Sequence, residues 1–138
     1  MSNPKFAAEE FFDHLCKALK RQIEGLNHVG ILLSGGLDSR ALAGITRKVN
    51  PDIKISTWTG GHGHDHDSQY AKKIAKIIGA NHTSVKIPET FLQDQCEEYA
   101  WALDGTVSAH GAHRLSIMKN VAPGCHHLMI GSFNDSIQ

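Results

Sequence analysis

The segment that most limits the fold of this chain is His28 to Ser39, H-V-G-I-L-L-S-G-G-L-D-S, where a short apolar run passes directly into a Ser-Gly-Gly turn. A short, largely apolar run without polar alternation belongs to a strand covered on both faces, as in a parallel sheet flanked by helices. After the turn, Ser39 to Val49 carries Leu42, Ala43 and Ile45 at helical spacing, and Asn50-Pro51 ends the helix. Ile53 to Trp58 then reads as a second strand, so the stretch is a βαβ unit with a right-handed crossover expected.

The alternation continues on both sides. Asn3-Pro4 puts a capping side chain before a proline at the first helical position. Phe6, Phe11, Phe12, Leu15, Cys16, Leu19 and Ile23 follow at helical spacing as far as Gly25. Gly60 to Asp67 is a polar loop, and Ser68 to Ile78 returns to helical period through Ala71, Ile74, Ala75 and Ile78, with Gly79 as its stop. His82 to Ile87 supplies a third strand closed by Pro88, and Thr90 caps a helix running to about Leu103. Beyond the Asp104-Gly105 turn, a helix over 109–120 is broken by Pro123-Gly124, and His127 to Ile130 is a fourth strand entering Gly131. The expected fold class is an open α/β layer, with a helix over 1–27 preceding a domain over 28–138. A chain of 138 residues suits one compact core.

The loop's chemistry follows from its place. A turn leaving the carboxyl end of a parallel strand and opening a helix presents unpaired N–H groups and the positive end of the helix dipole, which together seat an anion. Gly35 and Gly36 allow close backbone approach, and the Ser34 and Ser39 hydroxyls can donate to phosphate oxygens. Asp38 is the informative residue, because a carboxylate beside phosphate is repulsive unless Mg²⁺ lies between them. A bare S-G-G is also compatible with a flexible turn, with Asp38 as a helix-start residue favoured by the dipole. The segment matches neither G-x-x-x-x-G-K-[ST] nor G-x-G-x-x-G.

Lys plus Arg and Asp plus Glu are both 14, so the chain has no net charge to attract nucleic acid or an anionic membrane, and phosphate binding must be local. No apolar run approaches a membrane span, and the three widely spaced cysteines point to a reducing, cytoplasmic setting.

The S-G-G-L-D-S loop resembles that of the pyrophosphate-loop ATPases, and the fuller resemblance is to the synthetase domain of glutamine-dependent asparagine synthetases. It rests on V-G-I-L-L-S-G-G-L-D-S, T-W-T-G-G, Y-A-K-K-I-A-K-I-I-G-A-N-H and M-I-G-S-F-N-D-S. The resemblance implies an adenine nucleotide α-hydrolase-like, Rossmann-like three-layer fold of strand order 3-2-1-4. It implies an ATP- and Mg²⁺-dependent ligase that adenylates a carboxylate, aspartate favoured, releases pyrophosphate and lets ammonia displace AMP. Carried over, the backbones of Leu33 and Gly60 meet the adenosine part of ATP, Ile130 and Gly131 fall on nucleotide-contacting positions, Ser34, Gly35, Gly36 and Ser39 hold pyrophosphate, and Asp38 and Asp135 carry Mg²⁺.

Departures from the family pattern set further expectations. Ser132 stands where the family has a glutamate near the acyl-adenylate, and Ser136 replaces the glutamate after the matched aspartate. The family's C-terminal helical portion, with its pyrophosphate-contacting lysine, and its N-terminal glutaminase domain find no counterpart in these residues. The expectation is ATP binding with little complete amide synthesis by these residues alone, ammonia coming from solution or a separate glutaminase, and possible self-association through an uncovered sheet edge. Other pyrophosphate-loop amidating or thiolating enzymes, or an ATP-binding module without catalysis, are the alternatives.

His62, His64 and His66 with Asp65 and Asp67 are dense in metal-capable groups, but a solvated loop near the substrate mouth explains them better than a zinc site does. Within the resemblance, Asp67 is the member closest to an aspartate that orders the substrate side. His110, His113 and Arg114 share a helix face that could meet an anionic substrate, or form a polar outer face. Trp58, Tyr99 and Trp101 are expected in the core.

Overall fold

A computed structural model describes residues 4–63, 65–106, 108–121 and 125–131. The elements in chain order are α1 (Pro4–Gln22), β1 (His28–Leu32), α2 (Leu37–Val49), β2 (Lys54–Gly61), α3 (His66–Ile77), β3 (Asn81–Lys86) and α4 (Phe91–Ala102). A 3-10 turn (Ala109–Ala112), α5 (His113–Met118) and β4 (Leu128–Ile130) follow. The four strands form one parallel sheet of order β3-β2-β1-β4. The expected strand order and the open α/β layer are therefore both present.

Alternation along β1 divides the core. Val29, Ile31 and Leu33 are buried on the side of α1, α2 and α3, with Leu19, Leu42, Ile45 and Ile55. Leu32 packs on the opposite side with Trp58, Val85, Ile87 and Ile117, under α4 and α5. The two central strands β1 and β2 thus bury both faces, whereas the edge strand β3 is largely exposed. The fold is the Rossmann-like, adenine nucleotide α-hydrolase type, with helices on both faces of the sheet.

The boundaries differ from expectation where tertiary pairing or capping decides them. β2 runs on through Gly60 and Gly61, because Gly60 pairs with Val85 and Gly61 with Lys86. α2 begins at Leu37, which puts Asp38 in its first turn. α3 begins at His66, capped by the Asp65 carboxylate. The expected helix over 109–120 is a 3-10 turn followed by the six-residue α5.

Two expectations about the core are corrected. Trp101 is 86% exposed. α4 turns Gln95 and Tyr99 inward, and a residue two positions past Tyr99 lies about 200° around the helix, on the outer face. Phe6 and Phe11 are likewise exposed, although Leu19 on the same helix and Ile23 just past its end are buried. At 19 residues α1 extends about 28 Å, whereas the five-residue β1 spans about 17 Å, so the N-terminal half of α1 overruns the core.

Candidate nucleotide site

The Leu33 N–H donates to the Trp58 carbonyl at 2.8 Å, and its own carbonyl accepts from the Thr59 hydroxyl, so the chain is held by β2 at the point where it leaves the sheet. The turn that follows is organised around the buried Ser39 hydroxyl. That oxygen accepts from the Ser34 N–H at 3.0 Å and lies within hydrogen-bond reach of the Ser34 and Gly36 carbonyls and of the Ser34 hydroxyl. Ser39 therefore braces the loop from inside, while Ser34, less buried, takes a further bond from the Gly36 N–H at 3.1 Å.

Gly36 occupies the N-cap of α2 and supplies no side-chain cap. The first-turn N–H groups of a helix have no intrahelical acceptors, and without a capping side chain they are available to an anion. Asp38 adds a carboxylate to that same turn.

A cavity of about 230 Å³ opens beside the loop, at the carboxyl ends of β1, β2 and β4. Leu33, Ser34, Ser39, Gly60, Ile130 and Gly131, which the sequence places at a nucleotide, all line it. Thr59 from β2, Asp67 from α3, and His113 and Arg114 from α5 complete its polar wall. Larger hollows lie elsewhere: two, of about 480 and 520 Å³, run along α1, one framed by Lys17, Lys20 and Arg21 and the other opening beside β4, and a third, of about 400 Å³, lies on the outer face of α4 between Asp94, Glu97, Glu98 and Trp101. The smaller cavity is the better ligand candidate, because ligands of open parallel sheets bind outside the carboxyl ends of the strands and the helix N-terminus opens there.

Two glycines are required by close approach. A Cβ on Gly35 would collide with the Asp67 carboxylate and come within 3.0 Å of the Asp67 Cα. A Cβ on Gly131 would lie 2.9 Å from the backbone N and Cα of Ser39 and 3.0 Å from the carbonyl carbon of Asp38. The end of β4 thus rests directly on the first turn of α2, and α3 presses on the loop from the other direction.

Asp38 and Gly36 stand beside the cavity, on the loop and helix turn that bound it. Asp135, with Ser132 and Ser136, lies outside the described residues. Of the His-rich segment, His64 also lies outside them, and Asp65 is committed to the fold. Its carboxylate accepts from the N–H groups of Ser68, His62 and Gly63 and from the Ser68 hydroxyl, at 2.8 to 3.1 Å. The Ser68 N–H, aided by the hydroxyl and by the His62 N–H, outweighs partial burial and lowers its pKa from 3.8 to about 2. Among the described residues no group of three or more His, Cys, Asp or Glu side chains is placed to hold a metal. The single described carboxylate Asp38 in the first turn of α2 still suits Mg²⁺ on a nucleotide, which keeps several waters and takes one or two carboxylates together with phosphate oxygens.

Of the three residues the sequence puts on one α5 face, His113 and Arg114 reach the cavity, and His110 sits in the preceding 3-10 turn. His113 Nδ1 is 2.8 Å from the His110 carbonyl, and its ring meets Phe91 edge-on at 6.0 Å. The contributions of Thr59 and Trp58 to the cavity were missed, although T-W-T-G-G contains both and enters the site at Gly60.

The parallel sheet, its order and the serine-glycine loop at the end of β1 define a nucleotide-binding protein of the pyrophosphate-loop class. The sequence profile of the Asparagine synthase family matches residues 10–128, and the chain belongs to that family. An NH(3)-dependent NAD(+) synthetase of Mesoplasma florum is 24% identical over 135 residues, covering 91% of this chain and 54% of that protein. A putative glutamine-hydrolysing asparagine synthetase of Methanocaldococcus jannaschii is 27% identical over 108 residues, covering 75% of this chain and 21% of that one. Among solved structures, the NH3-dependent NAD synthetase of Campylobacter jejuni superposes with a TM-score of 0.60 at 12% identity, over 90% of this chain and 56% of that one. The chain spans about half the length of the NAD synthetase relatives and a smaller part of the asparagine synthetase.

Proposed function

We propose that this chain is the nucleotide-binding half of an ATP-dependent, AMP-forming amide ligase, with residues 28–138 as the pyrophosphate-loop domain and 1–27 as the helix leading into it. One observation carries the proposal: six residues assigned to the nucleotide from sequence line a single cavity against an N-terminally uncapped helix. In this reading Ser34 and the first-turn N–H groups seat the β- and γ-phosphates, and Ser39 keeps the loop in shape. Leu33, Gly60, Ile130 and Gly131 form the adenosine side. Gly35 and Gly36 let the backbone approach, and Asp38 and Asp135 would hold Mg²⁺, which would supply charge neutralisation to the leaving pyrophosphate. The protein's task is to position an acceptor carboxylate for attack on the α-phosphorus and to stabilise the departing charge. Ammonia then displaces AMP from the acyl-adenylate.

The acceptor is a small carboxylate. Aspartate is the choice within the asparagine synthase family, while the likeness to NAD synthetases supports an acceptor of another kind on the same adenylating site. No described helix is long and apolar enough to cross a membrane. Calorimetry with Mg·ATP, followed by pyrophosphate release with a panel of carboxylates, tests the reading. Saturable Mg·ATP binding with carboxylate-dependent pyrophosphate release is expected; ATP binding without release under any acceptor favours a non-catalytic module, and no ATP binding removes the proposal.

A further inference from the structure

Arg114 has no part in the nucleotide assignments, yet it lines the same cavity as Ser34 and Gly60. It is the one permanently cationic side chain among the described residues of that wall, where Asp67 supplies negative charge. It is exposed, and among the described residues its side chain has no hydrogen bond or ion pair.

The element that carries it is firmly held. Ser116, buried two residues further on, exchanges hydrogen bonds with the buried Gln95 of α4 at 2.7 and 3.1 Å. Ile117 is in the core beneath the cavity, and Lys119 pairs with Glu98 at 2.6 Å. Phe91 buttresses the neighbouring His113. Four contacts therefore fix a short helix whose outward arginine lies at the mouth of a site. The contacts fix the helix and leave the guanidinium open to a ligand, and its planar fork matches carboxylate and phosphate oxygens in a way that a lysine ammonium does not.

We propose that Arg114 is a specificity residue, reading an anionic group on the acceptor other than the carboxylate that is activated. The acceptor class is then a molecule with two anionic groups, a dicarboxylate or a carboxylate bearing a phosphate. This rests on the amide-ligase reading above, which supplies the activated carboxylate. The nucleotide's own phosphates offer the same oxygen chemistry, so the test must separate the two sources.

Trp58 lines the cavity and reports on occupancy by fluorescence once the exposed Trp101 is replaced, Trp101→Phe serving as the common background. Binding is measured in the presence of a non-hydrolysable Mg·ATP analogue for two matched pairs, aspartate against β-alanine and phosphoserine against serine, each differing by one anionic group. The background protein is expected to prefer the anionic member of at least one pair by about tenfold or more, the worth of one charged hydrogen bond. Arg114→Gln should bring that preference to about twofold or below and Arg114→Lys should restore part of it, while affinity for Mg·ATP changes less than about twofold. Partial rescue by lysine is not expected of an arginine that only supports the fold. Background protein that binds Mg·ATP but discriminates neither pair overturns the assignment, as does discrimination unaltered by Arg114→Gln. Loss of Mg·ATP affinity in Arg114→Gln also overturns it, by assigning the side chain to the nucleotide. Failure of the background protein to bind Mg·ATP sinks the ligase reading itself and is recognised separately.

Discussion

The Asp67 carboxylate of α3 packs directly against Gly35 of the loop, leaving no room there for a side chain. The loop's shape is thus set from outside by α3 as well as from inside by Ser39. Gly35→Ala is expected to displace the loop and weaken Mg·ATP binding by about tenfold or more, within the 1 to 3 kcal/mol typical of overpacking. Adding Asp67→Ala removes the carboxylate clash but leaves the Asp67 Cα within 3.0 Å, so recovery should be partial. Calorimetric titration of the single and double variants measures both; undiminished affinity in Gly35→Ala would show that the loop adapts freely.

Asp38 stands in the first turn of α2, beside the helix end that faces the cavity. Asp38→Asn should weaken Mg·ATP more than metal-free ATP, because a carboxylate attracts the cation and repels bare phosphate. Titrations with Mg²⁺ and with a chelator give the comparison, and equal losses in the two would take Asp38 out of the metal assignment.

Asp65 caps α3 and ties its start to the His62–Gly63 backbone. Asp65→Ala should cost about 1 to 2 kcal/mol, as other N-cap deletions do, read as a lower denaturant midpoint. Its pKa in the fold is about 2 against 3.8 ordinarily, so the folded state binds the proton less readily than the unfolded one. The carboxylate's contribution is complete above pH 3.8 and is lost as pH falls towards 2. The variant's stability deficit should shrink across that window, and a deficit constant from pH 5 to 2 would contradict the link.

His82 Nδ1 lies 2.9 Å from the buried Thr57 hydroxyl at the start of β3. Burial, followed by the nearby Lys72 charge, lowers its pKa below the ordinary 6.5. The unfolded chain therefore takes up the proton first, and stability that is full above pH 6.5 declines as pH falls through it. His82→Gln should flatten this part of the stability profile in denaturant titrations between pH 7.5 and 5; an identical slope in the variant would assign the decline to other groups.

The sequence alone determined the alternation of strands and helices, because apolar runs and helical periods are local properties set by burial on one or both faces. It also determined the loop's capacity for an anion, since a Ser-Gly-Gly turn between strand and helix carries its donors wherever the sheet places it. The strand order was legible through resemblance, and so were six of the residues that line the candidate cavity, the motif residues being spread along the chain from Leu33 to Gly131. Tertiary structure decided what depends on contacts between distant segments. Pairing with β3 drew Gly60 and Gly61 into β2, and the inward turn of Tyr99 put Trp101 in solvent. Only packing showed Ser39 as the loop's internal brace and Asp67 against Gly35. Only packing, too, brought Arg114 from α5 to the wall that Ser34 lines, 80 positions away in the sequence, because no periodicity encodes which residues of separate elements will face one cavity.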